Sequence, residues 1–161
     1  HRRENLGEPM ENMFKAIKRV LQDHSNVKVI YPIHKNPRVR EVANRIFGDE
    51  DRVKLIEPLE VIDFHNFLNK SYLILTDSGG IQEEAPSLGK PVLVLRDTTE
   101  RPEGVAAGTL KLVGTKEEDI YNNFKLLLEN NEEYKKMSQA SNPYGDGRAS
   151  ERIAEVLLKE I

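Results

Sequence analysis

Short apolar runs alternate with longer segments of helical period along this chain. The runs with strand character cover residues 27–31, 53–56, 72–76, 92–95 and 110–113. Residues 73–75 and 92–95 are apolar throughout, as central strands of a parallel sheet usually are. Apolar residues recur at helical spacing in the segments 9–24, 37–47, 60–70, 80–88, 116–130 and 149–160. This alternation predicts an α/β fold, in which helices cover both faces of a parallel sheet.

Length, charge and composition narrow the class of protein. A chain of 161 residues is the size of one domain, and no apolar run approaches the ~18 residues of a membrane span. The balance of 24 basic against 27 acidic residues leaves no strong field for nucleic acid, although a small anionic ligand is compatible with it. The absence of cysteine excludes disulfides, thiolate catalysis and Cys-ligated zinc. We therefore expect a cytoplasmic protein. The first residue is His1 instead of Met, and no signal-like apolar stretch follows it, so we expect the chain to be part of a longer one.

The segment with the most candidate chemistry is TDSGGIQEEA at residues 76–85. It follows an apolar strand and begins a helix, and ligands of parallel sheets bind beyond the carboxyl ends of the strands. Gly79 and Gly80 allow a ligand to approach the backbone, and the N–H groups of the helix start suit a diphosphate. Ser78 adds a hydroxyl donor. A tight turn that needs glycine only for its backbone geometry is the alternative interpretation.

The common nucleotide-binding fingerprints are absent from the sequence. Gly89 and Lys90 are followed by Pro91 instead of Ser or Thr, and no G-x-G-x-x-G occurs, which excludes a P-loop ATPase and an ordinary NAD enzyme. The spacing from Gly79 and Gly80 through Glu84 to Pro91 resembles the nucleotide-sugar site of GT-B glycosyltransferases and their relatives. That resemblance implies that the glycines receive the diphosphate and Glu84 the ribose hydroxyls. Alternatively, Glu84 is an acid that complements the helix dipole.

Three further stretches make the resemblance more specific: HRRENLG at 1–7, RDTTERPE at 96–103 and NPYGDG at 142–147. Together with residues 76–86 they are similar to the non-hydrolysing UDP-N-acetylglucosamine 2-epimerases over essentially the whole chain, whereas ordinary glycosyltransferases lack these three stretches. The resemblance implies a GT-B enzyme of two Rossmann-like domains. Residues 1–161 would be its C-terminal UDP-binding domain. The N-terminal domain, with the catalytic carboxylates, would precede a strand that ends just before His1.

The resemblance assigns further site residues. His1 matches a histidine beside the diphosphate that is needed for activity, Phe64 an aromatic that packs on uracil, and Arg101 an arginine near the phosphates. Arg2, Glu4 and His34 match positions that line a second, activating UDP-GlcNAc site in some bacterial members. The simpler interpretations are a disordered terminus for His1, core packing for Phe64, a turn residue for His34, and pairing of Arg101 with Glu100 or Glu103. No metal site is expected, because His24 and His65 lack partners at ligand spacing and are read as surface residues.

The activity implied by the family interconverts UDP-N-acetylglucosamine and UDP-N-acetylmannosamine, a reaction of cell-surface polysaccharide biosynthesis. The C2 proton is removed and UDP leaves by anti elimination, which gives 2-acetamidoglucal; UDP then adds back with the opposite configuration at C2. No cofactor is needed, because no net redox change occurs. The resemblance also implies a homodimer as the complete enzyme, and an isolated C-terminal half that is inactive. The alternatives are the nucleotide-binding half of a GT-B glycosyltransferase and a free-standing nucleotide-binding module.

Overall fold

The computed structural model describes residues 3–159. After a short 3₁₀ helix at Arg3–Asn5, helices and strands alternate as far as α6. The helices are α1 Glu8–Asp23, α2 Pro37–Phe47, α3 Val61–Lys70, α4 Gly79–Ser87, α5 Pro102–Ala107, α6 Glu117–Glu129, α7 Asn131–Ser138 and α8 Ala149–Lys159. The strands are β1 Val29–Pro32, β2 Val53–Ile56, β3 Ile74–Thr76, β4 Val92–Val94 and β5 Leu110–Leu112. None of the helices described is long and apolar enough to cross a membrane.

All of the predicted strands and helices are present, with bounds that move by one or two residues, and the α/β class is confirmed. Two helices were not predicted. α5 is only 6 residues long, although Pro102 at its start and the left-handed Gly108 at its end are helix boundary signals. α7 buries no residue and so has no apolar stripe; its one signal is Asn130, whose side chain accepts hydrogen bonds from Glu132 N and Glu133 N.

Helices pack on both faces of the strands, as predicted. β4 shows this best because its side chains alternate between two apolar clusters. Leu93 belongs to the cluster that contains buried side chains of α1, α2 and α6. Val92 and Val94 point the other way, into a smaller cluster formed with Leu68 of α3 and Ala85 of α4. The carboxyl end of β4 is therefore held between two helical layers.

The predicted single sheet is divided into two parallel sheets in the described residues. β1 pairs with β2, and β3, β4 and β5 form the other sheet in that order. β1 and β3 do not pair, because a cleft of about 950 Å³ opens between them, with α1 side chains also lining it. The hydrogen bonds Val29 N to Arg52 O and Ile74 N to Pro91 O point away from this cleft. Because backbone groups alternate sides along a strand, the amides of Ile30 and Leu75 point into it.

The last helix described lies at the surface of the molecule. α8 contains no buried residue, and the loop at residues 141–147 leads into it. Arg152 binds Asp146 of that loop at 2.7 Å, which fixes the start of the helix. Its exposed apolar side chains are Ile153, Val156, Leu157 and Leu158.

Candidate functional site

The candidate site is built around the first turn of α4. β3 ends at Thr76, Ser78 is the N-cap in an extended conformation, and the helix begins at Gly79. The Thr76 hydroxyl accepts a hydrogen bond of 3.0 Å from Ser78 N and so fixes the turn. The Ser78 side chain makes no capping hydrogen bond to the helix. The prediction that residues 78–80 begin a helix at the carboxyl edge of the sheet is confirmed, and this helix start offers N–H groups to an anion.

Glu84 lies beside this helix start. Its Oε1 atom is 3.6 Å from where a Cβ atom on Gly80 would sit. Its Oε2 atom lies 2.9 Å from Nε2 of His65 on α3. The carboxylate therefore stays next to the glycines while it pairs with His65 of the neighbouring helix.

The ring of Phe64 lies on the same side of the molecule. It packs against the cluster of α3, α4 and the strands, together with Ile81, but remains half-buried. Both residues, and Ser78, line the cleft between β1 and β3. Phe64 is thus neither a fully buried core residue nor fully exposed, and part of its ring remains accessible to a ligand.

Arg101 approaches α4 from the loop after β4. Its Nε atom donates to the Glu83 carboxylate, and one of its terminal nitrogens donates to Glu100 O at 3.1 Å. Its carboxylate partner is therefore Glu83, whereas the sequence suggested Glu100 or Glu103.

The Glu100 carboxylate binds Arg96 instead, at 2.5 Å. Arg96 is buried and lies two residues beyond the end of β4. The hydrogen bond that Arg96 donates to the Glu100 carboxylate raises the pKa of Arg96, which therefore stays charged. Arg96 Nη2 also lies 3.4 Å from Glu4 Oε1. The 3₁₀ helix is thereby tied to the end of β4.

Gln82 is a structural residue of the site that sequence reasoning missed. It is fully buried, its Nε2 donates to Ser78 O at 3.1 Å, and its Oε1 accepts a hydrogen bond of 2.5 Å from the Thr99 hydroxyl. The same hydroxyl accepts from Arg101 N at 3.0 Å. Gln82 therefore couples the first turn of α4 to the Arg101 loop. Its spacing of four residues from Ser78 was the available signal, since such residues share one helix face.

Of the other predicted residues, Glu4 and His34 lie within the described part of the chain. His1 and Arg2 are outside the described residues, and Glu4 contacts Arg96 as given above. His34 is exposed after β1, and its Nδ1 accepts a hydrogen bond of 3.0 Å from Asn36 N, which is the turn geometry considered as its alternative. Tyr31 of β1 lines the cleft, where burial, with a contribution from the Asp77 charge, raises its pKa to about 12.

A metal site is not found within residues 3–159, where no group of three or more His, Asp or Glu side chains could hold an ion. His65 is about half exposed, as expected for a surface residue. His24 is not a free surface residue, because only 15% of its side chain is exposed. Its ring lies between Val20 O and Glu129 Oε1, at 3.1 Å from each.

Comparison with known proteins gives a consistent result. The family model described as UDP-N-acetylglucosamine 2-epimerase matches residues 1–158. The chain is 75% identical to the UDP-N-acetylglucosamine 2-epimerase of Bacillus subtilis (strain 168), over 98% of this chain and 42% of that protein. It therefore spans less than half the length of this relative.

Solved structures agree with the sequence relatives. An S. aureus MnaA structure with UDP superposes with a TM-score of 0.95 at 60% identity, over 100% of this chain and 45% of that one. A Neisseria meningitidis UDP-GlcNAc 2-epimerase bound to UDP-GlcNAc gives 0.93 at 52% identity, over 99% and 43%. The fold of this chain is thus the fold of the matching part of those proteins.

Proposed function

This chain belongs to the UDP-N-acetylglucosamine 2-epimerase family, and from that premise we propose that it supplies the UDP site of a complete epimerase. The substrates would be UDP-GlcNAc and UDP-ManNAc, interconverted without a cofactor. Family membership favours this reaction over transfer of the sugar to an acceptor by a GT-B glycosyltransferase. The similarity to chains solved with UDP and with UDP-GlcNAc supports the choice of ligand.

One observation of the structure carries the proposal. The Glu84 carboxylate lies beside the start of α4, where the side chain of the N-cap residue Ser78 makes no hydrogen bond to the helix. The first-turn N–H groups of α4 and the Ser78 hydroxyl can bind the diphosphate, because the positive end of the helix dipole favours anions. Glu84, next to Gly80, can accept the ribose hydroxyls, since an ionised carboxylate offers only acceptors. Phe64, on α3, would pack on uracil. Arg101 would stand near the phosphates, with Glu83 holding its side chain in place.

The chemistry at C2 needs groups outside this set. Inversion by elimination requires a base on one face of the sugar and an acid on the other. The acids placed here have other partners, because Glu83 binds Arg101 and Glu84 binds His65. We propose that the N-terminal domain supplies the catalytic carboxylates and that His1 stabilises the departing UDP. This chain holds the UDP while the glucal intermediate turns over.

The cleft between β1 and β3 supports the two-domain proposal. Two parallel strands that are joined through a helix normally lie side by side. A strand that precedes α1 would therefore be expected next to β1, the strand that follows α1. A strand placed before residue 3 would fill the cleft and meet the amides of Ile30 and Leu75. The buried Asn5 brings the chain to the carboxyl end of this cleft, where it binds Asp77 at 3.0 Å. The resulting single sheet would be a complete Rossmann-like domain.

The assembly and regulation of the complete protein follow from the same family argument. We propose that the complete protein is a homodimer in the cytoplasm, where it would meet its nucleotide-sugar substrate. A chain without cysteine is compatible with the reducing conditions there. Arg2, Glu4 and His34 remain our assignment for a second UDP-GlcNAc site. The contact of Glu4 with Arg96 would connect such a site to the loop that carries Arg101.

An assay for UDP-ManNAc formation tests the proposal. The complete protein, this chain alone, the preceding half alone and both halves together should be compared with UDP-GlcNAc as substrate. We expect turnover by the complete protein and by the mixture, with loss of both on His1→Ala. Turnover by this chain alone would contradict the two-domain account. Transfer of the sugar to an acceptor, without epimerisation, would favour the glycosyltransferase alternative.

A further inference from the structure

We propose that His65 is a positioning residue that orients Glu84 for the ribose of the bound nucleotide; this rests on the proposed role of Glu84. The two side chains come from different helices, α3 and α4, and their facing atoms are 2.9 Å apart. His65 follows Phe64 directly in α3. One helix would therefore provide both the surface for the base and the support for the ribose acceptor.

The geometry divides the work between the two carboxylate oxygens of Glu84. Oε2 is bound to His65, whereas Oε1 lies over Gly80, 3.6 Å from the position of a Cβ atom on that glycine. A free Glu side chain samples many rotamers, and ordering it on ligand binding costs conformational entropy. With Oε2 held by His65, Oε1 stays at the edge of the diphosphate cradle, where a ribose hydroxyl can reach it.

The chemistry of the pair fixes the hydrogen-bond direction. An ionised carboxylate can only accept, so Nε2 of His65 must carry the proton and donate it to Glu84. This remains true for both the neutral and the charged imidazole. A Gln side chain at position 65 can present an N–H group in a similar place, whereas Leu cannot.

A contribution to folding does not account for this contact. The side chains of His65 and Glu84 are 47% and 46% exposed, and exposed ion pairs add little to stability. Loss of the hydrogen bond should consequently leave the melting temperature nearly unchanged. Its effect should appear in ligand binding, and only for ligands that carry the ribose hydroxyls.

The experiment measures dissociation constants by calorimetry on the complete protein, with UDP and 2′,3′-dideoxy-UDP as probes. The variants are His65→Leu, His65→Gln, Glu84→Ala and the double variant His65→Leu with Glu84→Ala. Asn69→Leu is the matched control, because Asn69 is exposed on α3 one helical turn further along. Melting temperatures of all variants are recorded.

We expect His65→Leu to weaken UDP binding about fivefold, because the carboxylate must then be ordered by the ligand itself. His65→Gln should restore most of the affinity, and Asn69→Leu should change nothing. Dideoxy-UDP should bind His65→Leu and the unaltered protein equally, and His65→Leu should have no effect in the Glu84→Ala background.

Two outcomes would overturn the inference. Equal weakening of both ligands by His65→Leu, or the same loss in the Glu84→Ala background, would show that His65 does not act through Glu84. If Glu84→Ala removes the preference for UDP over dideoxy-UDP while His65→Leu does not, only the role of His65 fails. If Glu84→Ala leaves that preference intact, the ribose role in the proposed function fails as well.

Discussion

The side-chain amide of Asn5 donates to Asp77 Oδ2 at 3.0 Å, and so joins the beginning of the chain to the loop before the Ser78 helix start. The same amide donates to Leu95 O at 3.3 Å, and Asn5 is only 2% exposed. A buried side chain thus fixes the segment that follows His1 to the ends of both β3 and β4. This places Asn5 beside the loop that leads into the predicted phosphate site.

Replacement of Asn5 by Ala should lower the free energy of unfolding by about 1–2 kcal/mol, because Leu95 O loses a buried donor. Turnover by the complete protein should fall as well, since the segment carrying His1 is no longer fixed. Denaturant unfolding and steady-state kinetics check the two effects. Asn12→Ala on α1 is the control, because the Asn12 side chain makes no hydrogen bond within the described part of the chain. Equal effects of both variants would contradict the anchoring role.

Ser78→Ala should weaken UDP binding without destabilising the fold. The hydroxyl makes no capping bond in this structure, so we expect the stability to change by less than about 0.5 kcal/mol. A hydrogen bond to a charged phosphate is worth more, and its loss should weaken UDP binding about tenfold. Calorimetry and thermal unfolding measure the two quantities.

Asn130→Ala is the control for Ser78→Ala, because it should lower the stability without changing the affinity for UDP. Asn130 caps α7 through hydrogen bonds from Glu132 N and Glu133 N, so its removal should cost about 1 kcal/mol of stability. UDP affinity should not change, since α7 contributes nothing to the proposed site. If Ser78→Ala instead behaves like Asn130→Ala, the Ser78 hydroxyl is a structural cap and not a ligand contact.

Phe64→Ala should reduce the preference for UDP over ADP. The half-buried ring is the proposed platform for uracil, and loss of base stacking typically weakens binding by about 1–3 kcal/mol. Ile62→Ala is the control, because Ile62 lies on the same helix, is 77% exposed and does not line the cleft. Competition binding of UDP and ADP gives the preference. Equal affinity of the unaltered protein for both nucleotides would remove the reason for assigning uracil to this pocket.

The amides of Ile30 and Leu75 should exchange rapidly in this chain alone and slowly in the complete protein. Both point into the cleft, where we propose that a preceding strand pairs with them. Hydrogen exchange monitored by NMR is the measurement, with Tyr31 and Thr76 as internal controls, because their amides face β2 and β4 in both forms. Rapid exchange of Ile30 and Leu75 in the complete protein would contradict a strand in this position.

Much of this protein is determined locally by its sequence. The apolar run before Thr76, followed by Ser78, Gly79 and Gly80, predicted a strand, a turn and a helix start at nearly the observed residues. This works because backbone conformation in such segments depends on glycine, on the N-cap and on apolar periodicity, all of which act over a few residues. The spacing from Gly79 to Glu84 likewise placed the carboxylate beside the helix start.

Tertiary structure decided the features that depend on long-range neighbours. The pattern of strands could not show that β1 and β3 are separated by a cleft, because pairing depends on what lies between them. The same holds for the partners of charged groups: Arg101 binds Glu83 instead of Glu100, and His65 meets Glu84 across 19 positions. Charged side chains reach any partner that the fold brings near, so sequence adjacency does not select among them. The sequence determined where the candidate site begins, and packing of α3 and the Arg101 loop against α4 determined which side chains surround it.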